Sequence, residues 1–337
     1  MIRTACITLL LSASSTCFAQ IGEPVARTGD EIVVCGRFFH TTAPVVTWLD
    51  PGGYDAYRVE RRFVPWQDAG WAATKEQAGL DTPNRYNLRG KEYFSPDQIE
   101  QHRGGQWTLD ELRDVVDQFV LHYDVCGVSR RCFQVLHDSR CLSVHFMVDI
   151  DGTIYQTLDL KERAWHGSTS NSRSVGVEIA HIGAYSAKSR DTLDQWYKKD
   201  ADGRVRLTVP ERIGRGIGGL GVRTPDFVGR PARNELVVGE VQGYQLYQYD
   251  FTPEQYDSLV KLTATLCKVF PKLACDYPKD SDGEVLPRKL EDAELRAFQG
   301  VLGHYHIQTN KTDPGPAMDW GRIIEGAQEL LDAPTGG

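Results

Sequence analysis

Nine histidines are spread over the 337 residues, and two of the places they occupy could do chemistry. His122 closes the apolar run Phe119-Val120-Leu121 and is followed by Tyr123-Asp124. An imidazole at a strand end, facing a cleft, is well placed to ligate a metal, although a lone His of this kind is more often a satisfied core residue. The second place is Gly303-His304-Tyr305-His306, followed by Lys311-Thr312-Asp313-Pro314-Gly315-Pro316. Asp313 stands between a polar turn and Pro314, whose ring fixes the backbone and aims the carboxylate, which suits a ligand. Taken alone, an Asp there is more often a turn former. His306 lies two residues beyond His304, so on a continuing strand the two would share a face. Other signatures are missing: the sequence holds no Gly-x-Ser-x-Gly elbow and no His-Glu-x-x-His. Gly214, Gly216 and Gly219 match Gly-x-Gly-x-x-Gly. No apolar strand precedes them and no helical pattern follows, so a dinucleotide site is rejected.

These residues need elements to hold them. Thr108 to Val116 reads as a helix, with Thr108 as N-cap and Glu111 three residues on, a capping box. Phe119 to His122 reads as a buried strand, and Cys132 to Asp138 as a helix. His145 to Ile150 and Thr153 to Leu158 read as strands joined at Asp151-Gly152, a strong hairpin signal. Val175 to Ile179 is a further strand. Thr252-Pro253-Glu254-Gln255 starts a helix whose buried face is Leu259, Leu262, Leu266 and Phe270. Val301 to His304 is a last strand and Trp320 to Leu331 a closing helix. Strands and helices mixed in this way predict an α/β fold, a mixed central β-sheet flanked by helices. Ahead of it, residues 20–107 read as a small β-rich accessory region, with strands at Ile32–Cys35 and Val45–Leu49. The main domain then covers residues 108–337. It carries a long polar, Gly-rich insertion over 184–250, read as loop with a hairpin tip at Lys199 to Gly203. Loops of this length are often functional, so the insertion is a candidate to line or cover a cleft.

Six blocks in order carry a resemblance: Leu121-His122-Tyr123; Ser143-Val144-His145-Phe146 with Asp151-Gly152-Thr153-Ile154-Tyr155-Gln156; Ala164-Trp165-His166-Gly167; Ser174-Val175-Gly176-Val177-Glu178-Ile179; Gly303-His304; and Lys311 to Trp320. The chain resembles the zinc N-acetylmuramoyl-L-alanine amidases of the type 2 family, which includes the peptidoglycan recognition proteins. The likeness covers residues 115–183 and 251–331. It implies the fold of that family and zinc as cofactor, ligated by His122, His304 and Asp313. It also implies Glu178 as the catalytic carboxylate, Lys311 as the charged group beside the reacting carbonyl, and Trp165 and His166 as cleft wall that meets substrate. His304 rather than His306 is the ligand on the family pattern. His145 is read as structural. The substrate implied is peptidoglycan or its muropeptide fragments, cut between the lactyl group of N-acetylmuramic acid and L-alanine. The chemistry is coherent: three protein ligands leave a zinc position open, zinc brings water to a pKa of about 7, Glu178 can move the proton, and Lys311 can offset the developing oxyanion. Asp313 rather than Cys as third ligand resembles the bacterial hydrolytic branch. Two rivals stay open: a recognition module that binds peptidoglycan without cutting it, and a zinc peptidase acting within the stem peptide.

Composition and the N-terminus say where such chemistry would take place. Hydrophobic residues make up 41% and charged residues 25%, globular values that exclude wholesale disorder. Acids outnumber bases by 46 to 38, a net charge of -8, so no nucleic-acid partner is expected. Residues 1–19 read as a signal peptide: Arg3, an apolar stretch around Leu9-Leu10-Leu11, and Cys17-Phe18-Ala19 before a cleavage site at Gln20. The apolar stretch is shorter than the roughly 20 residues a bilayer span needs. No membrane span is expected, and the mature chain is expected in the periplasm or outside the cell. Beyond the signal six cysteines remain: Cys35, Cys126, Cys132, Cys141, Cys267 and Cys275. An even number in an exported chain favours disulfides. Cys126–Cys132, just after the first ligand, resembles the short disulfide of animal recognition proteins.

Overall fold

The computed structural model describes residues 21–72, 85–90 and 92–334. The strands are β1 (Glu31–Val34), β2 (Arg37–His40), β3 (Val45–Thr47), β4 (Asn87–Leu88), β5 (Gln118–Tyr123), β6 (Phe146–Val148), β7 (Ile154–Gln156), β8 (Glu162–Arg163), β9 (Ser174–Ile179), β10 (Tyr197–Lys199), β11 (Val205–Leu207), β12 (Val237–Val241), β13 (Tyr244–Gln248) and β14 (Gly300–Gly303). Six of them make one mixed sheet in the order β14-β5-β9-β6-β7-β3. β14, β5, β9 and β6 run parallel, β7 returns on β6 as the expected hairpin, and β3 runs parallel to β7. The mixed central sheet flanked by helices is therefore the one the sequence predicts, and the N-terminal region does carry the small β1–β2 ribbon. That region also supplies the sheet's edge strand β3, which its lack of motif did not suggest.

The alternation of side chains along each strand divides the sheet into two working faces. On β5 and β9, Phe119, Leu121, Tyr123, Val175, Val177 and Ile179 point one way into the main core. There they meet Tyr256, Leu259, Leu262 and Leu266 of the helix Pro253–Val269, and Ile323 and Ile324 of the helix Trp320–Asp332. The longer helix begins as its sequence predicts. Thr252 Oγ1 accepts from Gln255 N–H at 3.1 Å, and Gln255 Oε1 accepts from Thr252 N–H at 3.0 Å. Shortening a core residue such as Leu262 to Ala would cost about 2–5 kcal/mol. The alternate residues of the same strands, Gln118, Val120, His122, Ser174, Gly176 and Glu178, face the other way. One set of strands thus has an apolar face that fixes the fold and an opposite face free to carry polar chemistry at the strands' carboxyl ends.

The insertion is more ordered than a loop. It contains the helix Asp191–Trp196 and the hairpins β10–β11 and β12–β13. Leu193, Trp196, Tyr197 and Val205 are buried in a small core of their own with Ile182. Elements of three to six residues show too few buried positions for a period to be read from sequence. The hairpin tip after Lys199 is where the sequence puts it, with Asp200 N–H donating to Arg204 O at 2.8 Å.

Candidate metal centre and cleft

His122 on β5 and Glu178 on β9 are direct register partners in a parallel pair. Both lie on the polar face, next to each other at the carboxyl ends of central strands, where ligands of open α/β sheets bind. β14, on the other side of β5, stops at Gly303, and the chain tightens into a 3-10 turn over His304–His306. The strand read through His304 therefore ends one residue early, and His304 and His306 do not share a face. Gly303 N–H donates to His306 Nδ1 (2.8 Å), while His306 Nε2 donates to Leu286 O (2.9 Å). His306 is thereby satisfied inside the protein, and His304 is turned toward β5.

Three donor atoms then converge. His122 Nδ1 lies 2.9 Å from Asp313 Oδ2, His304 Nδ1 lies 3.0 Å from the same oxygen, and the two nitrogens are 3.0 Å apart. One proton cannot serve three such atoms, whereas a single cation in front of them can. His304 Nε2 donates to Gln308 Oε1 at 2.6 Å, which leaves its Nδ1 lone pair for a ligand, the usual support for a metal-bound imidazole. Burial and the neighbouring His304 lower the pKa of His122 to about 4, against the pull of Asp313. Burial opposes the charge on Asp313, but its bonds to His122 and His304 outweigh this and hold it below the usual carboxylate range. Two imidazoles and one carboxylate are the donor set of a catalytic zinc site with three protein ligands, so the residues fit the metal that the sequence implies.

The cleft in front of these atoms has a volume of about 200 Å³ and is lined by His122, His304, Asp313, Glu178, Lys311 and Trp165, among others. The sequence-derived ligands, carboxylate and lysine are thus brought together around one opening. Burial raises the pKa of Glu178, as do the charges of Asp313 and Asp124, while Arg140 and Lys311 pull it down. Glu178 Oε2 is buried with no partner among the described residues. Trp165 is 41% exposed and is held by a bond from its Nε1 to Arg85 O at 3.0 Å.

Two expectations change. His166 does not form the cleft wall: it is buried, and its Nε2 lies 2.7 Å from His145 Nδ1. It packs on Gly176 of β9, where a Cβ would come within 2.2 Å of His166 Nδ1. Close packing of the ring on a bare backbone draws it under the ligands instead of into solvent. The insertion also supplies none of the cleft lining, because its hairpin β12–β13 lies behind the ligand loop. Sequence reading missed Gln308, four residues after His304. That spacing is visible only once the strand is known to end in a helical turn. It missed Arg140 as well, which reaches the cleft from the end of the π-helix Gln134–Ser139. Cys126 and Cys132 also line the cleft as neighbouring thiols. The signal-peptide reading falls on residues 1–19, outside those described.

Among known proteins, residues 112–316 match the family model Amidase_2, N-acetylmuramoyl-L-alanine amidase. Similar solved structures include a selenomethionine derivative of AmpD, at 16% identity and TM-score 0.31, covering 72% of this chain and 89% of that one. AmiD from E. coli, in complex with the substrate anhydro-N-acetylmuramic acid-L-Ala-D-gamma-Glu-L-Lys, is 17% identical, with a TM-score of 0.34 and coverages of 63% and 57%. The amidase LysC from Clostridium intestinale URNW is 13% identical, with a TM-score of 0.32 and coverages of 64% and 88%. No curated protein matches the sequence.

Proposed function

This chain belongs to the N-acetylmuramoyl-L-alanine amidase family, and from that membership we propose that it works with zinc held by His122, His304 and Asp313. The reaction is the family's: hydrolysis of the amide bond between the N-acetylmuramoyl group and L-alanine in peptidoglycan. The observation that carries the metal reading is the triangle of 2.9–3.0 Å between His122 Nδ1, His304 Nδ1 and Asp313 Oδ2, with Glu178 beside His122 on the next strand. Zinc would supply Lewis acidity at the scissile carbonyl and bring water to a pKa of about 7. Glu178 takes a proton from the attacking water and passes it to the L-alanine nitrogen as the C–N bond breaks. Lys311 offsets the negative charge that develops on the carbonyl oxygen. Trp165 offers a flat apolar wall to the substrate.

Metal analysis tests this reading. The wild-type protein is expected to hold one zinc per chain and His304→Ala to hold almost none. Full occupancy in that variant would overturn the ligand assignment. Among the described residues no helix is long and apolar enough to cross a membrane. The leader-like N-terminus and the even cysteine count support export, and an exported protein beginning at Gln20 is the expected result of N-terminal sequencing. The neighbouring thiols of Cys126 and Cys132 support a disulfide between them after export. Peptide mapping without reduction should find them joined, and free alkylation of both would count against it.

A further inference from the structure

We propose that Gln242, in the β12–β13 turn, and Gln248, at the end of β13, are positioning residues that clasp the loop carrying His304, Lys311 and Asp313. The proposal rests on the metal reading above and gives the insertion a role behind the cleft, not over it. Gln242 sits at the tip of the β12–β13 hairpin. Its Nε2 donates to Tyr305 O (2.8 Å) and Gln308 O (3.0 Å), with Lys311 O at 3.5 Å. Its Oε1 accepts from Lys289 N–H at 3.1 Å, and its own N–H donates to Pro287 O at 2.8 Å. One side chain thus gathers carbonyls from residues that follow ligand His304, orient its ring and carry the cleft lysine. At the other end, buried Gln248 donates from Nε2 to Pro314 O (3.1 Å) and accepts at Oε1 from Ala317 N–H (3.0 Å). That bracket lies just after Asp313. Gly315 (φ 84°) makes room for it, since a Cβ there would lie 2.1 Å from Gln248 Oε1. Both ends of the ligand loop are therefore fixed by one hairpin.

The turn itself points the same way. Gln242 and Gly243 have φ of 56° and 77°, the left-handed pair of a two-residue hairpin, where Asn-Gly is the relaxed choice. A glutamine is held in this strained conformation while its amide nitrogen is used by the ligand loop and its amide oxygen by Lys289. Asn would suit the turn better and could not reach, because it is one methylene shorter. Turn formation and loop positioning can therefore be separated by experiment.

The test uses the full chain, with zinc affinity measured by competition against a chelator and melting followed in the metal-free protein. The variants are Gln242→Asn, which keeps the turn, and Gln242→Met, which keeps the length and loses the donor. Outer-shell supports of metal ligands typically contribute about 10–100-fold in affinity. Both variants are expected to bind zinc about 10-fold or more weakly, with the metal-free Gln242→Asn protein melting no lower than wild type. Wild-type affinity in either variant overturns the clasp. A large drop in metal-free melting temperature in both overturns it too, since Gln242 would then serve the fold at large. Failure of the wild-type protein to bind zinc is a different result and removes the metal reading itself.

Discussion

Among the described residues, two groups of side chains bring histidine and carboxylate atoms close enough to share a cation: His122, His304 and Asp313, and Asp30, Glu31 and His40. Their residue types are almost the same, and what differs is which lone pairs are already taken. In the second group Glu31 Oε1 accepts from Thr28 N–H (2.7 Å) and from the Thr28 hydroxyl (2.8 Å), and Oε2 accepts from Gly29 N–H (3.0 Å). Asp30 Oδ2 accepts from Thr42 N–H (3.0 Å), and Oδ1 faces His40 Nδ1 (2.9 Å) and the Thr28 hydroxyl. Those carboxylates tie a turn to a hairpin, and His40 hangs in solvent with its side chain 67% exposed. In the first group Asp313 Oδ2 meets only the two imidazole nitrogens, and His304 has given its other nitrogen to Gln308. A metal site is recognised by the lone pairs left free and aimed at one point, not by the tally of ligand-type residues.

The sharpest way to break this contrast is to remove one carboxylate from each group. Asp313→Ala should lose bound zinc and about 10³-fold or more in turnover, since metal polarisation is worth several kcal/mol. Glu31→Gln should keep both zinc and turnover, as metal analysis and product formation would report. Retained zinc in Asp313→Ala, or lost zinc in Glu31→Gln, would reverse the assignment. Next in size, Glu178→Gln should keep zinc and lose about 10²–10⁴-fold in turnover. Near-normal rates with full zinc would remove Glu178 from proton transfer. Gln308→Leu should weaken zinc about 10–100-fold by freeing the His304 ring, read by chelator competition. An unchanged affinity would make the 2.6 Å bond incidental.

The smallest effect belongs to the second group and concerns pH. Burial works against the charge of Glu31, but its bonds from Thr28 and Gly29 outweigh it and lower its pKa from 4.5 to about 2. A carboxylate with a lowered folded pKa stabilises above its unfolded value and loses that contribution as pH falls through the folded one. Glu31→Gln should therefore cost about 1.5–3 kcal/mol at neutral pH, with the difference from wild type closing between pH 4.5 and about 2. Thermal melts of the metal-free protein across that range would show it. A difference independent of pH would mean that the charge on Glu31 plays no part.

Much of this was legible in the sequence where a local rule has a single solution. The capping boxes at Thr108 and Thr252 start helices as read, the Asp151-Gly152 turn makes the β6–β7 hairpin, and the ordered blocks bring His122, Glu178, His304, Lys311 and Asp313 to one cleft. What escaped depends on distant chain. β3 lies within the strand legible at Val45–Leu49, but it pairs with β7 across more than a hundred residues, and three residues of alternation cannot announce which sheet they join. His166 is drawn inward by Gly176 and His145, neither of which is near it in sequence. Gln242 sits in a segment that reads as polar and Gly-rich, and only the folded hairpin reveals which loop its amide meets. The 3-10 turn after Gly303 was hidden because a short apolar run ends in the same way whether the strand stops or continues.

Digestion of purified sacculi with the zinc-loaded protein, followed by mass spectrometry of the new ends, tests the central claim most directly. Amide hydrolysis in the cleft around His122 predicts stem peptides with free L-alanine amino termini and glycan carrying free lactyl carboxyls, both abolished by Asp313→Ala. New ends within the stem peptide, or no release at all from zinc-loaded wild-type protein, would contradict it.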